Sequence, residues 1–357
     1  MNDVAELKRY VLVHARAQGI PTARYTGVLD RVETDDGDEP GSWVGEWTRE
    51  GEALERAGRI ADAARCHGMA RFPYVDGPAR RRAAERSTEL FDRWRTGRGG
   101  IEPLGVRLDG AVVRCWTSGL SAAKPLPVLL VMGGIVTPKE QWGPVLASLR
   151  RFGMAGVVAE LPGVGENTLA YDADSWRMIP AILDEIAPVA DTARTYALAL
   201  SFAGHLALRC AVEDPRVRGV VTAGAPITRF FVDRSWQETL PAITRDTLGH
   251  LLDVPVPALG DHLPDLALGP ERLAALDIPV HYLASKRDEI IPPGELTELR
   301  AVRSLGLVEN DDVHGSPSHT AETRLWAMLS VLRMRGDRSP RTALLSVLLR
   351  LARRRAT

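Results

Sequence analysis

The chain has 357 residues, enough for one large domain and an accessory one. Its 45 basic and 46 acidic residues leave a net charge of -1, which excludes a general electrostatic attraction to nucleic acid or to an anionic membrane. No apolar run reaches the roughly 18 residues of a membrane span, and the charged start "MNDVAELKRY" has no signal-peptide core, so a globular protein of the cytoplasm is expected.

Residues 1–104 read as a helical N-terminal domain, expected to act as a lid. In "WVGEWTREGEALERAGRIADAARCHGMARF" apolar residues recur at three- and four-residue spacing among Ala, Glu and Arg, the pattern of amphipathic helices. Trp43, Trp47 and Trp94 fall at helical spacing and are expected to pack between elements. The acidic stretch "ETDDGDEPG" at 33–41 reads as a loop. Cys66 and His67 are a lone pair on a helix. Together with Cys115 and Cys210 they form neither a disulfide framework nor a zinc pattern, so no metal and no cofactor is expected.

The hairpin-like "GVRLDGAVVRCWT" opens residues 105–357. Six apolar runs follow, at 127–134, 156–163, 195–201, 219–226, 278–285 and 305–311, separated by amphipathic helices. Runs that are apolar on both faces predict an α/β fold with a mostly parallel sheet flanked by helices. Open sheets of this kind place ligands at the carboxyl ends of their strands. A helical insertion near 229–270 is expected to cover those ends. Residues 340–355, "PRTALLSVLLRLARRR", read as a basic amphipathic helix that docks Leu344, Leu345, Leu348 and Leu351 on the main body. A homodimer contact or membrane-surface binding are its alternatives.

The chemistry-bearing residues follow these runs. Ser201 in "LALSFAGHLAL" sits between a strand and a helix, where a nucleophile elbow exposes its hydroxyl. Alanines 199 and 203 replace the glycines of the usual G-x-S-x-G pattern, and Gly204 comes immediately after. A helix-capping serine is the alternative. Asp288 in "ASKRDEIIPP" is a candidate acid, or else a turn aspartate. His314 in "VENDDVHGSPSH" is the candidate base, with His319 as the competing one; Asp311 and Asp312 read as loop and cap residues. The order Ser201, Asp288, His314 matches the triad order of α/β-hydrolases. Backbone N–H groups of Phe202 and of Gly134 or Ile135 would form the oxyanion hole. Phe230, Phe231 and Trp236 follow a strand end and are expected to line the pocket. Thr137-Pro138-Lys139-Glu140 matches a capping box, with Glu140 reaching back to the helix start.

Over about residues 105–335 the chain resembles the α/β-hydrolase superfamily. More narrowly it is similar to FrsA-like esterases and dihydropseudooxynicotine-type C–C hydrolases, which carry an N-terminal helical domain. The helical N-terminal third, "GGIVTPKEQW" and "ELPGVGEN" carry that resemblance. In the last motif Glu160 stands where the superfamily has Asp, and Asn167 where it has Ser. The resemblance implies substrate contact by Glu140. The layout is also similar to the acetate-eliminating enzymes of tetronate antibiotic assembly. That implies a polyketide-type small-molecule substrate and loss of acetate from an O-acetylated tetronate. Hydrolysis of an ester or β-dicarbonyl C–C bond is the alternative, and a non-catalytic small-molecule binder on the same fold a second one.

Overall fold

A computed structural model describes residues 2–356. Five helices come first: α1 (Val4–Ala17), α2 (Thr22–Leu29), α3 (Trp43–Arg56), α4 (Ile60–Ala70) and α5 (Pro78–Arg98). The caps follow from sequence. The Asp3 carboxylate accepts from Glu6 N at the start of α1, and Ser42 Oγ from Gly45 N at the start of α3. Trp43 and Trp47 are fully buried, and Trp43 Nε1 donates to the Met69 carbonyl at 3.0 Å, tying α3 to α4. The acidic loop is firmly held: Asp35 is buried, pairs with Arg80 of α5 at 2.5 Å and accepts from Asn2 N at 2.8 Å.

Eight strands follow: β1 (Glu102–Leu108), β2 (Ala111–Ser118), β3 (Pro127–Met132), β4 (Ala155–Ala159), β5 (Asp191–Ala199), β6 (Val217–Ala223), β7 (Val280–Ser285) and β8 (Leu305–Asn310). They form one sheet in the order β1-β2-β4-β3-β5-β6-β7-β8. The β1–β2 and β2–β4 pairs are antiparallel and all the others parallel. Every residue of β3 and β4 is buried, as strands covered on both faces require, whereas the edge strand β8 is mostly half-exposed. The expected mostly parallel sheet flanked by helices is the observed one.

Alternate strand residues feed two cores. Val128, Leu130 and Met132 of β3 pack with α7 (Met178–Ile186), α8 (Phe202–Glu213) and the insertion. Leu129 and Val131 point the other way, into a core shared with α1–α5, α6 (Gly143–Leu149) and the Thr320–Met334 helix. The N-terminal helices are therefore packed onto one face of the sheet through a continuous apolar core. Between Arg229 and Ala274 the chain forms short helical pieces.

The C-terminal helix, Pro340–Ala356, corrects one expectation. Leu345 packs against the core and Leu349, not among the expected contacts, is buried. Leu344, Leu348 and Leu351 are instead 58%, 41% and 49% exposed. The docked stripe is rotated by about one residue, because the wide apolar face offers two adjacent stripes and only one meets the body. Among the described residues no helix is long and apolar enough to cross a membrane.

Candidate active site

Three parallel strands bring the predicted residues together. Leu200 N donates to Met132 O of β3 (3.0 Å) and Ser201 N to Ala223 O of β6 (2.9 Å), pinning the turn after β5 between its neighbours. Ser201 is forced to φ 53° and ψ -132°, a region non-glycine residues avoid. It does not cap α8 with its side chain, so the capping alternative fails. Both alanines, Ala199 and Ala203, fit with no exposure. The tight approach falls one residue later: a Cβ on Gly204 would lie 2.1 Å from Thr222 Oγ1 of β6. This elbow thus meets its glycine requirement at 204.

Ser201 Oγ lies 3.4 Å from His314 Nε2, and His314 Nδ1 lies 3.0 Å from each Asp288 carboxylate oxygen. Asp288 also accepts from Ile290 N and Ile291 N, both at 2.9 Å, so it is an acid partner and a turn aspartate at once. Burial works against protonation of His314, but the Asp288 carboxylate and the nearby Glu289 charge outweigh it, and the pKa rises above the ordinary histidine value. His319 pairs with Glu322 at 3.3 Å and does not line the cavity that holds Ser201. Asp312 accepts from Ser318 N in the turn that follows, at 2.7 Å, and Asp311 pairs with Arg287 at 2.9 Å.

The loop after β3 closes on the serine. A Cβ on Gly134 would lie 3.0 Å from Ser201 Cβ and 3.3 Å from its Oγ, so a larger residue there would crowd the serine. Phe202 opens α8, where an N–H has no intrahelical acceptor. Ile135 is buried beside them in the cavity wall.

The cavity next to Ser201 measures about 200 Å³. Tyr10, Val13, His14 and Ala17 of α1 wall it on one side, Ile243, Thr244 and Thr247 of the insertion on another, and Ser201, His314 and Glu289 form its floor. A larger open cleft of about 1010 Å³ between α5 and β1–β2 holds none of the three relay residues.

Four expected pocket residues lie elsewhere. Phe230 and Phe231 are fully buried under the elbow, edge-on to Phe202 with centroids 5.2 and 6.4 Å away; they support the nucleophile turn and do not line the cavity. Trp236 donates its Nε1 to Ile290 O at 2.8 Å, bracing the loop that carries Asp288. Glu140 is in no capping box: residues 139–142 form a single 3-10 turn whose N-cap is Pro138, without a side-chain cap. Its carboxylate is drawn instead to Lys139 Nζ at 2.9 Å and Trp116 Nε1 at 3.0 Å, behind the cavity wall. Lys139 Nζ also meets Glu160 at 3.3 Å and Glu166 at 2.7 Å. This buried ion cluster outcompetes the short-range cap.

Sequence reasoning missed Glu289, which accepts from His314 N at 3.0 Å and so holds the His314 backbone. It also missed Tyr10 and His14. Their only signal was a second helical stripe, 10-13-14-17, beside the buried stripe of Leu7, Val11 and Ala15.

Gly224, after β6, carries an expected result. Its φ is +58°, and a Cβ there would lie 2.7 Å from His314 Cε1. Gly224→Ala is expected to push the imidazole off Ser201 and lower kcat roughly 10- to 100-fold, since a misplacement near 1 Å costs about that much. Steady-state kinetics beside a thermal melt would check it; wild-type kcat in a folded variant contradicts the placement.

An eight-stranded sheet of this order, with Ser201, Asp288 and His314 at its strand ends, defines an enzyme of the α/β-hydrolase fold. The solved structure of wild-type AbyA5 is 51% identical, with a TM-score of 0.94 over 98% of this chain and 99% of its own. The structure of 2,6-dihydroxy-pseudo-oxynicotine hydrolase shares the fold at 20% identity, TM-score 0.71, over 88% of this chain and 94% of that one. The esterase FrsA of Photobacterium profundum is 22% identical over 288 residues, which is 72% of this chain and 68% of that protein. No family model matches. The chain belongs to the α/β-hydrolase superfamily, in its FrsA-like branch.

Proposed function

We propose that the chain removes acetate from an O-acetylated small molecule, specifically an O-acetylated tetronate of polyketide-type metabolism, leaving an exocyclic double bond. The carrying observation is the setting of the relay. Ser201 and His314 face a cavity of about 200 Å³ with mostly apolar walls, suited to the reacting end of a small substrate. Elimination consumes no water, whereas an acyl-enzyme must bind one to turn over.

Ser201 Oγ takes the acidic C–H proton next to a carbonyl as its own proton passes to His314 Nε2, and Asp288 steadies the imidazolium. The C–H electrons form the new C=C bond, and acetate leaves with the C–O pair. The N–H groups of Phe202 and of Gly134 or Ile135 hold the enolate oxygen that develops between these steps. The proton on His314 then returns to Ser201 as the serine's proton leaves with solvent. Similarity of layout to the acetate-eliminating enzymes of tetronate assembly supports this reading. The cytoplasm is its proposed setting; all three cysteines are buried and unpaired.

Hydrolysis is the second reading, favoured by the strained nucleophile geometry of Ser201. Reaction in ¹⁸O-water separates the two. Elimination is expected to give unlabelled acetate and an alkene product by mass spectrometry. Label in the acetate with no alkene formed would establish hydrolysis instead.

A further inference from the structure

Two histidines face the cavity, and only one has a carboxylate partner. His314 is held by Asp288. His14, on α1, lines the same cavity, and its ring makes no hydrogen bond to any described residue; it packs against Phe72 with centroids 5.3 Å apart. Two more polar atoms of the lining residues, Trp142 Nε1 and Thr323 Oγ1, are buried without a partner. Buried polar groups are rarely left unpaired unless something else satisfies them.

We propose that His14 is a substrate-binding residue that hydrogen-bonds a second oxygen of the substrate, carbonyl or enolate, beside the centre on which Ser201 and His314 act. This rests on the reaction proposed above and narrows it to substrates carrying two such oxygens, as cyclic β-dicarbonyls do. The two imidazoles are divided in role by their surroundings. Asp288 and Glu289 raise the pKa of His314, whereas burial first, then the charges of Arg71 and His314, push His14 down to about 4. At neutral pH His14 is therefore uncharged. It can donate from one nitrogen or accept at the other, and it is too weak a base to rival His314. Its place on α1 means that the N-terminal helices supply part of the recognition site and do more than cover it.

The test uses 3-acetyltetronic acid, a cyclic β-dicarbonyl with no acetate to lose. Its binding is measured by titration calorimetry on the Ser201→Ala protein and on the same protein with His14→Phe added. The added substitution is expected to weaken binding about ten-fold, the loss of one well-placed hydrogen bond. His14→Asn, which keeps an N–H, is expected to recover most of it. Labelling of Ser201 by a small fluorophosphonate in the single variant His14→Phe is read beside the affinity as a report on the relay. Unchanged binding in the His14→Phe protein, or no binding by the Ser201→Ala protein, overturns the proposal. So does a labelling rate that falls with the affinity, since His14 would then be shaping the relay. A wild-type protein that fails to label counts against the proposed reaction, and the binding measurements still decide His14.

Discussion

Ser201→Ala is expected to lower kcat by about 10⁴- to 10⁶-fold, the scale on which nucleophile and base fail together in a relay. The companion substitution Ser201→Gly is expected to be equally inactive yet about 1 kcal/mol more stable than Ser201→Ala. The reason is the backbone. At φ 53° and ψ -132° any side chain carries strain of roughly 1–3 kcal/mol, which glycine relieves. Part of that gain is offset by the greater freedom of glycine in the unfolded chain. Denaturant unfolding of the two variants measures the difference. Equal stabilities would mean that the elbow stores no strain, and kcat within ten-fold of wild type in either would remove Ser201 from the chemistry.

The second large effect lies behind the active site. Lys139 is 1% exposed and its ammonium is shared by Glu140, Glu160 and Glu166. The Lys139 backbone N–H also donates to Glu160 Oε1 at 3.1 Å, and Arg71 donates to the Val136 carbonyl, so the loop after β3 is fastened at Val136 and at Lys139. Burial pushes the Glu160 carboxyl up to about 7, while Glu140, closer to the ammonium, is held below its usual range against its own burial. Lys139→Met leaves two buried carboxylates without their ammonium partner and is expected to destabilise by roughly 3–5 kcal/mol. Without the ammonium, burial acts unopposed by Lys139 on Glu140 as well as on Glu160 and raises both carboxyls, which sets the sign of the pH dependence. A group whose folded pKa exceeds its unfolded value destabilises as pH rises through the folded pKa, and that loss disappears below the unfolded value. The deficit of Lys139→Met should therefore be larger at pH 8 than at pH 5. A deficit under 1 kcal/mol at pH 8, or one that grows on acidification, contradicts the role given to Lys139.

The sheet was legible because β3, β4, β5 and β6 are buried on both faces and must be written in nearly unbroken apolar residues. Ser201, Asp288 and His314 were legible for a related reason: each follows a strand end, and parallel strands deliver their carboxyl ends to one edge. What failed depends on partners distant in sequence. Thr137 to Glu140 matches a capping box, but nothing local reveals that Glu160 and Trp116 will be close enough to hold Lys139 and Glu140 instead. Phe230 and Phe231 follow a strand end as pocket residues do, yet the chain turns them beneath Phe202. Tyr10 and His14 share the cavity with His314 only because α1 folds back across the sheet edge, which joins residues about 300 positions apart, whereas Glu289 reaches His314 N from 25 positions away. The C-terminal leucines show the limit of amphipathic patterning: it predicts that a helix has an apolar face, and packing chooses which stripe of that face is used.

The central claim is that Ser201, activated by His314 and Asp288, is the reactive group of the cavity. Treatment with a small fluorophosphonate followed by intact-mass analysis tests it most directly. One adduct per chain is expected on the wild-type protein, mapped to the peptide containing Ser201, and none on Ser201→Ala. An unlabelled wild-type protein, or equal labelling of both, would contradict it.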